Sequence, residues 1–292
     1  MISAVLLLSA VSASFIGIGI AYKRVPGTMK GEDVMFWYSL FSLVLLLPAE
    51  FYSGSVSAIP IPWIICLLLT GNFNIFGMLL LQTAMKRGNS GIAWALTQSA
   101  LIGPFLFGMV FFGEKHSLFG ITGLCLVLLG MICQIKHERT TPGAAPGRMH
   151  SLLLAFCAFL CCAVTQTALT ISSYSAIPMS GTGKTFLLML GAVAGLLIFK
   201  LSRRNTSFAL SGKMAVTALL LSFLSLASTL LLFLALDKLA AFSLAGLAYP
   251  VSLGSSIAGF ALYSACVEKE KLSYRQAAGI ISIIAGIFLL GF

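Results

Sequence analysis

Apolar residues run along this chain in ten long stretches, approximately 2–22, 34–52, 61–84, 91–112, 117–136, 150–172, 180–200, 212–236, 242–265 and 273–292. Polar and charged residues fall mainly between them. An α-helix needs about 20 apolar residues to cross a hydrocarbon core of roughly 30 Å. In lipid the backbone must satisfy its own hydrogen bonds, which leaves helices or closed barrels. Barrel strands alternate in polarity and last about 10 residues. Continuous runs of this length therefore predict an all-α membrane protein with about ten transmembrane helices.

Most connections are short. Lys86-Arg87-Gly88-Asn89 joins the third and fourth helices, and a similarly brief turn is expected at Asp237-Lys238 between the eighth and ninth. The longest polar stretch, His137-Glu138-Arg139-Thr140-Thr141-Pro142-Gly143 and on to Arg148, lies near the middle. Proline, glycine and charge together mark a linker. It divides the chain into a first five-helix unit (1–140), a linker (141–149) and a second five-helix unit (150–292). The halves echo each other. Glu114-Lys115, Ser117, Gly123 and Gly130 recur, at one constant offset, as Glu270-Lys271, Ser273, Gly279 and Gly286. An odd number of helices per half makes the second half enter the membrane in the opposite sense. The expected architecture is an inverted repeat, with a binding site between the repeats near mid-membrane.

Composition supports the membrane reading. Of 292 residues, 59 % are hydrophobic and only 9 % charged, against about 25 % charged in an ordinary soluble domain. The net charge of +10 would raise the question of nucleic acid in a soluble protein. Here the basic residues sit in loops, where they set topology rather than bind nucleic acid. The odd-numbered connections and their flanking helix ends hold fifteen Lys and Arg residues, whereas the even-numbered ones hold only Lys115 and Lys238. The positive-inside rule puts the odd connections in the cytoplasm and both termini outside, in a multi-pass protein of the cell membrane. The first run lacks a basic segment before it, so it reads as a retained helix rather than a signal peptide. The seven cysteines lie in or beside apolar runs, without a CxxC pair or a Cys/His metal spacing. They read as small packing residues.

Intramembrane charge costs about 2.5–3.5 kcal/mol per residue at a helix centre, so its placement is informative. All eight acidic residues fall in loops or at helix ends. A proton-coupled exporter of cationic drugs needs a carboxylate within the membrane, so this placement counts against that mechanism. Two readings stand for Lys184: a contact for an anionic group, or a helix-end lysine snorkelling to the interface. Gly181-Thr182-Gly183-Lys184-Thr185 resembles part of a phosphate loop, but Pro178 occupies the place of its first glycine, and no soluble strand precedes it.

The amides Asn72, Asn74, Gln82, Gln98 and Gln166 lie in apolar runs and are expected to face other helices or a cavity. Trp94 and Gln98 share a helix face, and Tyr249, Ser252 and Ser256 line one side of the ninth helix. Asn72, Asn74, Trp94, Gln98, Gln166, Lys184, Tyr249 and Ser252 are the candidate substrate contacts. The competing reading is ordinary interhelical hydrogen bonding. Gly191/Gly195 and Ala13/Gly17 have the small-residue spacing of close helix packing. Pro104 and Pro250 are candidate kinks, either static or hinging. The three histidines lie in loops or at helix ends, so neither a metal site, nor a cofactor, nor a catalytic set is expected.

The two five-helix halves, the first helix ending in Tyr22-Lys23, the tight turn after the third helix, the two Glu-Lys pairs before glycine-rich helices, and Pro104 and Pro250 in the fourth helix of each half together resemble the drug/metabolite transporter superfamily, in its ten-helix EamA-like branch. The resemblance covers essentially the whole chain. Near the start of the second helix, Trp37-Tyr38 stand where the family usually has an arginine.

The resemblance implies metabolite transport by alternating access, in a lipid bilayer, of a small polar solute such as an amino acid. Family members also move sugars, nucleotide derivatives and drugs. A multidrug or cation exporter is the alternative, and a membrane-embedded enzyme the more distant one. Substrate, direction, coupling ion and homo-oligomerisation stay open at this level.

Overall fold

The computed structural model describes residues 2–23, 30–87, 93, 96–114, 117–133, 148–175, 177, 179–203, 208–267, 269 and 273–290. Ten α-helices fall within them: α1 Ile2–Lys23, α2 Gly31–Ser53, α3 Ile61–Arg87, α4 Ile102–Phe111, α5 Leu118–Cys133, α6 Arg148–Tyr174, α7 Gly181–Ser202, α8 Gly212–Ala240, α9 Ala248–Cys266 and α10 Tyr274–Leu290. Seven are long and apolar enough to cross a membrane. The remaining three apolar helices, Leu96–Phe111, Leu118–Cys133 and Tyr274–Leu290, are shorter. Large side chains such as Leu6, Ile65, Val110, Val216 and Phe288 are exposed, as expected of a surface facing hydrocarbon. Residues 141–147 of the linker, Gly88-Asn89, Trp94, Lys115, His116, His137 and Glu270-Lys271 lie outside the described residues, and Arg148 and Met149, expected in the linker, open α6.

Local chemistry sets the helix starts. Ser117 accepts from the Gly120 N–H at 3.1 Å, Ser180 from Gly183 at 3.0 Å and Ser211 from Met214 at 3.2 Å. Ser273 caps α10 reciprocally: its hydroxyl accepts from the Gln276 N–H, and its own N–H donates to Gln276 Oε1 at 3.0 Å. Each bond satisfies a backbone donor that the first helical turn leaves unpaired. The repeated serines at 117 and 273 therefore share one job. The stretch Gly181–Lys184 is the first turn of α7 behind its Ser180 cap, which accounts for its likeness to a phosphate loop.

Two boundaries differ from expectation. Asp237 and Lys238 belong to the last turn of α8, and the reversal falls at residues 241–244. Pro104 and Pro250 sit in the first turns of α4 and α9, each just after a single 3₁₀ turn (Ser99–Leu101 and Ala245–Leu247). Pro104 thus lies midway along the apolar helix Leu96–Phe111, and Pro250 near the start of the span Ala245–Tyr263. The proline inside a long helix is Pro48 of α2.

The packing pairs are α1 with α8 and α9, α3 with α6 and α7, α2 with α7 and α8, α4 with α6, and α5 with α10. Exchanging the five helices of one half for those of the other turns these pairs between halves into themselves, whereas α9 also packs on α10, a pair with no counterpart of similar extent among the described residues. Small residues let the backbones meet. A Cβ on Gly191 would strike the Leu68 carbonyl oxygen, and one on Gly71 would strike that of Leu188, so α3 and α7 touch backbone to backbone. A Cβ on Gly17 would come within 3.2 Å of the Leu224 side chain, whereas Ala13 is exposed. Gly123 approaches Gly286, and Gly130 approaches Gly279, so α5 and α10 run antiparallel. Ser282 on α10 donates to the Leu126 carbonyl of α5 at 2.8 Å.

Candidate functional site

The polar side chains buried in this bundle divide into those the protein itself satisfies and those it does not. Asn72 belongs to the first kind. Its Nδ2 donates to the Leu68 carbonyl one turn back at 2.8 Å, and its Oδ1 occupies the space a Cβ on Gly195 would need. It is packed into the α3–α7 seam. Ser252 is fully buried and donates to the Ala248 carbonyl at 2.7 Å, while its own carbonyl accepts from Ser12 of α1 at 3.0 Å. Ser256 donates to the Leu253 carbonyl at 2.8 Å. Asn74 and Gln98 are half-buried, on α3 and just before the 3₁₀ turn at Ser99.

Lys184 is 1 % exposed. Its Nζ lies 3.1 Å from Asp237 Oδ1 and 4.9 Å from the centre of the Phe233 ring. It does not snorkel; its charge is met by α8. The second buried lysine, Lys200 of α7, is ion-paired with Asp33 in the first turn of α2 and lies over the Phe208 ring at 4.5 Å. Each pair ties two helices at one end. Acidic residues do lie at helix ends as expected, but Asp33 and Glu114 are each only 3 % exposed. Such burial requires partners, because a lone buried charge is costly.

The second kind gathers where α6 meets α9. Gln166, Thr170 and Ser173 share one face of α6 at helical spacing. Among the described residues, Gln166 Oε1, Ser173 Oγ and the Tyr249 hydroxyl of α9 are buried with no partner in good hydrogen-bonding geometry, the Tyr249 hydroxyl having only Thr170 beside it. Tyr249 lies beside Thr170, whose hydroxyl is donated to the Gln166 carbonyl at 3.0 Å. Thr97 Oγ1, near the start of the Leu96–Phe111 helix, also has no partner among the described residues. A buried polar atom left without a partner costs about 1–3 kcal/mol, so native proteins keep few, and those kept call for a reason.

At the C-terminal end of α6 the polar face runs into a bridged cluster. The Tyr174 hydroxyl donates to Glu114, whose carboxylate also accepts from the Gly246 N–H at 3.0 and 3.2 Å. The Ala245 N–H donates to the Tyr174 hydroxyl at 3.2 Å. The Phe112 ring stacks on Tyr174 with centroids 4.0 Å apart. Glycine is needed at two places: a Cβ on Gly108 would come within 2.5 Å of the Glu114 carboxyl carbon, and one on Gly246 within 2.7 Å of its Oε2.

Of the candidates read from the sequence, Gln166 and Tyr249 therefore meet at one place. Asn72 and Lys184 bond within the protein at other places, Ser252, one turn from Tyr249, bonds to the Ala248 carbonyl, and Trp94 lies outside the described residues. Sequence reasoning missed Ser173, Tyr174 and the bonding of Glu114. The stripe 166–170–173 was readable as a polar helix face, but Glu114 carries no local sign that Gly246 lies against it. Among the described residues no group of His, Cys, Asp or Glu could hold a metal ion.

Residues 2–135 match the model of the EamA-like transporter family. No curated protein matches the chain. A solved crystal structure shares the fold with a TM-score of 0.74, over 98 % of this chain and 96 % of its own, at 16 % identity.

Proposed function

We propose that this chain, a membrane transporter of the drug/metabolite type by the family its residues 2–135 match, moves a small polar metabolite by alternating access, with the α6–α9 polar group as part of its binding site. The observation that carries the reading is the set of unpartnered hydrogen-bonding atoms at Gln166, Ser173 and Tyr249. A solute offering hydroxyl, amide or amino groups would complete them. These groups are uncharged, and the nearby carboxylate of Glu114 is already bonded to Tyr174 and Gly246. That favours a neutral or zwitterionic solute, an amino acid among them, over a lipophilic cation.

Alternating access rests on the relation between the halves. The main helix pairs that join one half to the other interchange when the halves are exchanged, and α5 runs antiparallel to α10. Both are what an inverted repeat requires, and such repeats rock about a shared central site. Transport, rather than catalysis, is the activity this arrangement fits.

The test is a thermal-shift screen of the purified protein against amino acids, sugars, nucleosides, carboxylates and quaternary amines, followed by uptake into proteoliposomes. A ligand bound by the folded state alone raises its stability. Stabilisation and uptake confined to neutral or zwitterionic polar solutes support the reading. Selective stabilisation by lipophilic cations overturns the substrate class.

A further inference from the structure

Glu114 is an acidic side chain that topology does not explain. It follows α4, is 3 % exposed, and bonds to two other elements, the end of α6 through Tyr174 and the turn entering α9 through Gly246. Tyr174 completes the ring by accepting from Ala245. The cluster stands at the face of the even-numbered connections. It adjoins the polar group directly: Ser173 precedes Tyr174, and Tyr249 lies three residues after Gly246. Around it Phe112 stacks on Tyr174, and Phe105, Leu244 and Leu247 pack in the apolar core; the bonds of the cluster itself are polar. A carboxylate accepting several N–H and O–H donors forms strong, directional bonds. They are also bonds that break as a unit once the helix ends move apart.

We propose that Glu114, Tyr174 and the Ala245–Gly246 backbone form a latch that closes the even-connection face over the α6–α9 polar group. The proposal rests on the transport reading. In this structure the latch is engaged, and the opposite half of the cycle requires it to part. Three features support a built device over an incidental contact. Gly108 and Gly246 both leave room that a side chain would fill with Glu114 in place. The Glu114 N–H is itself pinned to the Gly108 carbonyl at 3.1 Å, which aims the carboxylate inward. The same residue types also recur in the other half of the sequence: Tyr22 with Pro26 parallels Tyr174 with Pro178, Gly91-Ile92-Ala93-Trp94 parallels Gly246-Leu247-Ala248-Tyr249, and Glu270 parallels Glu114.

The experiment measures the distance between spin labels at Ile177 and Phe242, two exposed residues that flank the latch, by pulsed electron resonance in lipid nanodiscs. A genetically encoded label leaves the native cysteines in place. The full-length protein should give a dominant short distance. Glu114→Gln and Tyr174→Phe should each raise the ratio of long to short populations by roughly tenfold, as loss of one charge-assisted hydrogen bond from one of two states would. Tyr174→Phe keeps the ring stacked on Phe112, so it carries the test if Glu114→Gln folds poorly. An unchanged population ratio in Tyr174→Phe, with or without a fall in thermal stability, overturns the latch. The measurement needs no substrate, so its failure would leave the transport reading intact, and a failed uptake assay would leave the latch intact.

Discussion

Gly123 of α5 and Gly286 of α10 lie backbone against backbone: a Cβ on either would come within 2.6 Å of the other's carbonyl oxygen. A Cβ on Gly130 would likewise come within 2.6 Å of the Gly279 carbonyl oxygen. The obstacle is main chain, which cannot rotate away as a side chain can. Gly123→Leu or Gly130→Val should therefore force α5 and α10 apart and destabilise the fold by about 1–3 kcal/mol or more, as overpacking does. Thermal unfolding in detergent checks this, and substitutions at the exposed Ile121 and Ile281 serve as neutral controls.

The Asp33–Lys200 pair is buried on both sides. Lys200→Met strands the Asp33 charge and should cost about 3–5 kcal/mol, the usual penalty for removing one partner of a buried pair. The double variant Asp33→Asn with Lys200→Met should recover most of that loss. A double variant no more stable than Lys200→Met would show that the pair is not the reason for the buried charges.

Tyr249→Phe removes a hydroxyl, and Gln166→Ala an amide Oε1, that have no partner in good geometry among the described residues. Neither should lower thermal stability much, and Tyr249→Phe should leave it unchanged or raised. Both should reduce uptake efficiency by roughly five- to tenfold, the value of one hydrogen bond to a substrate. Lost stability with normal uptake would assign these groups to packing.

Loop charge places the even-numbered connections outside. A cysteine at Ser57, in the connection between α2 and α3, should gain labelling by a membrane-impermeant maleimide in intact cells. One at Ser202, the exposed C-terminal residue of α7, should not. The reverse pattern would invert the orientation.

The helices were legible in the sequence because a membrane imposes a one-dimensional rule: apolar length decides what spans. The same rule made the serine caps at 117 and 273 and the glycines at 123, 130, 279 and 286 visible as a repeat. It could not say which glycine meets which.

Polar residues obey no such rule. Asn72, Lys184 and Ser252 looked as eligible for substrate as Gln166 and Tyr249, since each sits in an apolar run. Whether a polar atom is spent or spare depends on neighbours brought in from elsewhere in the chain: Gly195 beside Asn72, Asp237 beside Lys184, Ser12 beside Ser252. The sequence by itself determined an all-helical membrane chain, its small-residue seams and its caps, because each depends on local composition and spacing. Only the tertiary structure decided that Glu114 holds α6 and α9 together and that Gln166 and Tyr249 stay unmatched, because hydrogen-bond satisfaction is settled by geometry between segments far apart in the chain.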